Sequence, residues 1–157
     1  MNKTNQNLQE LWGKVGFIVH LSQMVEYNLA NILSADELLR EFEERNSMCT
    51  IEYNEFAKKS NKMYLKLSAI PLGGILKQAE KVKFFNEDGI ELLEKACKKR
   101  NHVVHHLFRE DLQLRHLETD PEFYFDELEA TIELLHGINE VLTNIFEQQK
   151  QKFELIK

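Results

Sequence analysis

The sequence predicts an all-α bundle of about five or six helices, on three observations. Only 2 prolines and 6 glycines occur in 157 residues, so the frequent tight turns of a sandwich or barrel have almost nothing to form from. Apolar residues recur at helical spacing from Leu8 through Ile145. Helix-start patterns stand before several of these runs, the plainest being Asp120-Pro121-Glu122, with Asp as N-cap and Pro at the first helical position. The chain has the size of one domain, and a chain of this length buries roughly 70% of its unfolded surface. A single domain over 1–157 is expected, with 147–157 as a fraying tail.

Leu8, Leu11, Trp12, Val15, Val19, Leu29 and Leu33 mark a long first helix over 8–33 that tolerates Gly13 and Gly16. A second apolar arc runs through Phe17, Leu21, Met24, Val25 and Ile32, so this helix is apolar round most of its circumference. Such a helix is buried on two sides, either at the centre of the bundle or at a subunit interface. Ser34-Ala35-Asp36-Glu37 fits the Ser-x-x-Glu capping box and predicts a charged second helix to about Asn46. A third, around Tyr53 to Leu67, presents Phe56, Met63, Tyr64 and Leu67. Pro71 and the pair Gly73-Gly74 predict a break before a short helix ending near Lys83. From Asn86 onward, acids in the first turn and bases later suit the dipole of a further helix. The last helix runs from Pro121 to about Phe146 on Leu128, Ile132, Leu135, Leu142 and Ile145.

Charge excludes some function classes. Twenty basic against 26 acidic residues give a formal charge of −6, which argues against a surface that coats nucleic acid throughout and confines any such contact to a local patch. Cys49 and Cys97 form no CxxC pair and are expected as buried free thiols in a cytoplasmic protein. The opening MNKTNQNLQE is polar where a secretory signal would be apolar, and no apolar run approaches the ~20 residues that span a bilayer. No membrane association is expected.

Chemistry concentrates on the helix that contains Arg100. Leu93, Ala96, Val103, Val104 and Leu107 fall within about 60° of Arg100 round a helix, which sets a guanidinium in the middle of an apolar stripe. Arginine cannot shed its charge, so such a position requires an anionic partner, a water-filled cleft or a snorkelling route. Asn101 and His105 lie about 40° apart on one flank of the same helix. Glu26 answers from the first helix, at the centre of its main apolar stripe. Two readings follow: a structural Glu26–Arg100 salt bridge inside the bundle, or a Glu26 that orients Arg100 while the remaining donors hold a phosphate.

The stretch Lys99-Arg100-Asn101-His102-Val103-Val104-His105-His106 resembles the Arg-polar-x3-His motif of the HEPN superfamily, all-α domains of prokaryotic toxin–antitoxin, abortive-infection and CRISPR-associated systems. The long first helix, the middle helical region, the motif near the end of a penultimate long helix and one more long helix extend the resemblance over most of the chain. Arg100 with His106, and Arg109 with His116, also fit the looser spacing of the motif. The resemblance implies a HEPN-like fold and a metal-independent endoribonuclease whose site is composed at a homodimer interface. By the same resemblance Arg100 binds the scissile phosphate, His105 acts as general acid or base, and Asn101 orients one of them. His106 stands next door, and either imidazole could face the cleft. RNA and an antitoxin or regulatory protein are the implied partners. The alternative is a non-catalytic helical dimer that binds a nucleotide, RNA or a partner protein through the same cleft.

The local basic cluster is Lys95, Lys98, Lys99, Arg100 and Arg109, partly offset by Glu94, Glu110 and Asp111 and without interleaved aromatic rings for base stacking. His102 and His106 have the i, i+4 spacing of a metal clip, but no third ligand of matched spacing stands near, and a solvated histidine face is the expectation. Walker, dinucleotide-binding and nucleophile-elbow patterns are missing, so neither a metal nor a cofactor is expected. His20 and His136 are expected as packing or surface residues.

Overall fold

The computed structural model of the chain describes residues 3–44, 53–110 and 114–155. Among these the chain is helical, with no strand: α1 (Lys3–Glu44), α2 (Tyr53–Ser68), α3 (Leu72–Lys81), α4 (Glu87–Asn101), a π-helical turn (His102–His106), α5 (Leu107–Glu110) and α6 (Glu122–Leu155). The architecture is the all-α bundle that the sequence predicts. No helix of the described residues is long and apolar enough to cross a membrane. Cys97 is a half-buried free thiol, and Cys49 lies outside the described residues.

The expected break at Ser34 does not occur, because α1 runs unbroken to Glu44. Ser34 turns its hydroxyl back onto the carbonyl of Ala30 at 2.7 Å instead of capping a new helix. Leu33, Ala35, Leu38 and Leu39 are all buried, so the apolar stripe crosses the supposed boundary without interruption. Gly73 and Gly74 likewise sit inside α3, not in a break. Pro71 alone starts that helix, its carbonyl accepting from the Gly74 amide at 2.7 Å.

Helix α4 opens where expected, with Asn86 Oδ1 accepting from the Gly89 amide at 2.9 Å. A Cβ on Gly89 would stand 3.1 Å from that oxygen and 3.3 Å from Phe85 Cβ, so the cap itself asks for glycine. Helix α6 opens after Asp120 and Pro121, whose carbonyls accept from Phe123, Tyr124 and Phe125. It then runs to Leu155, past the end expected near Phe146. The polar sequence there is the solvent face of a helix whose inner face is held by Gln149, buried and donating to the Ile32 carbonyl at 3.1 Å.

Helices α1 and α6 run parallel, since their contacts advance in step. Asn7 donates to the Leu117 carbonyl at 2.9 Å, Lys14 reaches Glu129 at 2.7 Å, Asn139 donates to the Leu21 carbonyl at 3.0 Å, and Gln149 meets Ile32. Leu11, Ile18, Val25, Leu29 and Ile32 from one helix and Leu128, Leu135 and Leu142 from the other are fully buried along the seam. Helices α2 and α3 pack on α1, and α4 packs on both α1 and α6. Among the described residues, one face of the α1–α6 seam is thereby covered and carries the candidate site, while the other is left open.

Candidate functional site

The site begins with the stripe that docks α4. Leu93, Ala96, Val103 and Leu107 are buried, and Arg100 shares their side of the helix, which carries it to α1. There Arg100 Nη2 stands 3.7 Å from Glu26 Oε1, with the two side chains 21% and 25% exposed. The same carboxylate oxygen accepts from the Leu72 amide at 3.1 Å, so Glu26 serves both the guanidinium and the first turn of α3. A carboxylate suits a helix N-terminus, where amides without intrahelical partners and the dipole favour negative charge. Pro71, at the N-cap position, supplies no side-chain cap of its own.

Asn101 completes the hold on the guanidinium. Its Oδ1 accepts from Arg100 Nη1 at 2.9 Å, and its Nδ2 lies 3.7 Å from Cys97 Sγ. Arg100 Nε is buried with no hydrogen-bond partner among the described residues. The cation is therefore fixed from two sides at a half-buried position. A guanidinium whose geometry is set in advance presents donors to an anion at low ordering cost.

From Asn101 onward the backbone leaves α-helical register. The segment His102–His106 is π-helical, with the Leu107 amide bonded to the carbonyl of His102, five residues back. The wider turn rotates each residue less than an α-helix does, so residues five apart align much as residues four apart do in an α-helix. Arg100 and His105 are five apart, and so are Asn101 and His106. His105 and His106 are both exposed, and among the described residues no hydrogen bond or ion pair joins either to Arg100. Asn101 and His105, four apart, stay on one flank in this wider turn, while His105 is drawn toward the Arg100 side and His106 toward Asn101.

His102 also departs from expectation. It is the more enclosed of the three histidines, its Nε2 lying 3.8 Å from Glu127 of α6. Its ring stacks on that of His106, with centroids 6.2 Å apart and planes 11° from parallel. Among the described residues no group of three or more His, Cys, Asp or Glu side chains is arranged to hold a metal ion. Of the basic cluster, Lys95, Lys98 and Arg109 are exposed and Lys99 is half-buried. His20 and His136 lie on the surface away from this site, His20 stacked on Phe17 and His136 3.5 Å from Glu140.

Three participants escaped sequence reasoning: the Leu72 amide, the Cys97 sulfur and Glu127. The Leu72 amide and Glu127 enter through tertiary contact, while Cys97 meets Asn101 one turn away on α4, a contact that the i, i+4 spacing could have signalled. The one local trace of the π-turn is the β-branched pair Val103-Val104, which weakens α-helical preference. No family model, curated protein or solved structure matches the chain.

Proposed function

We propose that this chain is a metal-independent endoribonuclease of the toxin or antiviral-defence type, acting as a homodimer in which two copies of the Arg100–His105 segment face one another. The observation that carries the reading is a pre-set guanidinium, held by Glu26 and Asn101, just before a π-helical turn that contains His105. The RNA supplies the nucleophile. Its 2′-oxygen attacks the adjacent phosphorus, the 2′-O–P bond forms as the P–O5′ bond breaks, and the product ends in a 2′,3′-cyclic phosphate. One His105 imidazole takes the 2′-hydroxyl proton, and the protonated imidazole of the partner's His105 gives a proton to the departing 5′-oxygen. Arg100 balances the charge that builds on the phosphoryl oxygens. A cytoplasmic location and an antitoxin or regulatory partner belong to the same reading.

Arg100→Ala and His105→Ala should each lower cleavage of a model RNA by roughly 10²–10⁴-fold, the range of a general acid–base or oxyanion contact. Wild-type activity should persist in EDTA, and a 2′-deoxy nucleotide at the cleaved position should block it. A divalent-metal requirement, or cleavage that survives both substitutions, would overturn the reading. One observation favours a second reading, a binding module for a nucleotide, RNA or protein: His105 is exposed, and among the described residues no hydrogen bond or ion pair joins it to Arg100. Retained RNA binding without cleavage by the wild-type chain would select it.

A further inference from the structure

We propose that the open face of the α1–α6 seam is a docking groove for a cationic amphipathic helix of a partner protein. This surface lies opposite α4, and the proposal stands independently of any RNA chemistry. Two adjoining hollows of about 550 and 530 Å³ share Phe17 and form one trough along the seam. The α1 side is apolar, with Gly13, Phe17, Leu21 and Met24, of which Phe17 and Met24 are exposed although they are large, and α6 adds Ile132 at one end and the polar Asn139, Thr143 and Asn144 at the other. From Glu10 to Met24 the trough extends about 20 Å at 1.5 Å per residue, enough for nearly four turns of a docked helix.

Charge chooses the occupant. Glu10, Glu129, Glu133 and Glu140 rim the trough, whereas Lys14, its one lysine, is already shared between Glu129 at 2.7 Å and Glu10 at 3.4 Å. A second copy of this chain would set a net charge of −3, the four carboxylates less Lys14, against its like, with Glu133 the rim acid that no ion pair engages among the described residues. RNA would be repelled for the same reason. A helix with apolar residues at i, i+3 or i+4 and i+7 and with Lys or Arg on both flanks satisfies floor and rim together.

Gly13 points the same way. A Cβ built on it meets nothing within 4 Å, so no packing among the described residues requires its bareness, although it costs the helix about 1 kcal/mol relative to Ala. Beside a docked helix, that bareness lets the two backbones approach closely.

The test uses the full chain and three labelled peptides of about 16 residues: a Leu/Lys amphipathic helix, the same residues scrambled to destroy the apolar face, and a Leu/Glu version. The first should bind, and the other two should bind at least roughly tenfold more weakly, a loss of about 1.4 kcal/mol. Glu133→Lys with Glu140→Lys, and separately Gly13→Leu, should each weaken the first peptide by a similar factor at unchanged helicity. Glu37→Lys with Glu41→Lys, in the separate hollow between α1 and α2, should not. Equal binding of the scrambled peptide, indifference to the rim charges, or a dimer of this chain that Phe17→Asp dissociates would overturn the proposal.

Discussion

At the scale of single residues, the Glu26–Arg100 pair decides how much of the site is structure. With both side chains a fifth to a quarter exposed and 3.7 Å apart, the pair falls between a solvated bridge and the fully buried one that would cost roughly 3–5 kcal/mol to break. Glu26→Gln keeps an acceptor for the Leu72 amide and loses only the charge, so urea denaturation should show a loss of about 1–2 kcal/mol. Glu26→Ala removes the α3 contact as well and should cost more, by about the worth of a helix cap. If Gln and Ala cost the same, the Leu72 hydrogen bond contributes nothing. Asp36 offers a pH test away from the site. Burial pushes its carboxyl above the ordinary aspartate range, and Arg40, 2.9 Å away, pulls it only partly back. A raised carboxyl pKa means that the folded state binds the proton more tightly, so wild-type stability should gain on Asp36→Asn as pH falls from the raised value toward about 3.9, and lose that gain as pH rises. Paired denaturation curves across this acid range would show it, and a constant difference would refute it.

At the scale of elements, the α1–α6 register rests on buried amides. Asn139 Nδ2 donates to the carbonyls of Leu21 and Leu135, and its Oδ1 accepts from Asn28 Nδ2 at 3.1 Å. Asn139→Leu leaves the Asn28 side-chain amide without its acceptor in an apolar seam, the Leu21 carbonyl keeping its intrahelical bond, which should cost about 1–3 kcal/mol, whereas adding Asn28→Leu should recover part of it. A double-mutant cycle with no coupling would show that the amides act separately. The π-turn invites a deletion. Removing His106 leaves Arg100 to His105 in sequence and shortens Val103 to Leu107 from four residues to three, a spacing that still shares one face of an α-helix, so the fold should survive while His105 rotates away from Arg100 and cleavage falls. Much of this was legible beforehand. The helical class follows from spacing and scarce breakers, and the starts at Asn86 and Asp120 follow from local capping chemistry. The Glu26–Arg100 meeting was foreseeable because two charges interrupted two apolar stripes. Ser34 was misread because a capping box and a mid-helix serine share one local sequence, and only burial on both sides distinguishes them. The π-turn was invisible for a related reason, since a register change of one residue is set by how α4 docks on α1 and α6.

At the scale of the whole molecule, α1 has more apolar surface than the described chain covers. Between Leu11 and Ala35 its charged residues are Lys14 and Glu26, and both are engaged in ion pairs. Trp12 and Tyr27 are 58% and 54% exposed and share a stripe with Gly16 and Gln23 at spacings of four, seven and four. That stripe lies between the Glu26 side of the helix and the acid-rimmed trough. Unlike the trough it carries no charge, so a second copy meets it without repulsion. The stripe adjoins the Glu26 side of α1, so a two-fold contact through Trp12 and Tyr27 would set the two Arg100 sites nearer each other, as the proposed composite site requires. Wild-type chain should therefore sediment as a dimer at tens of micromolar. Trp12→Asp should convert it to a folded monomer, because an exposed side chain can be changed at little cost to the fold, and RNA cleavage should fall with the dimer. A wild-type monomer would remove the composite site, and a monomeric Trp12→Asp variant with undiminished cleavage would show that each chain carries its whole site on the Arg100 side of α4.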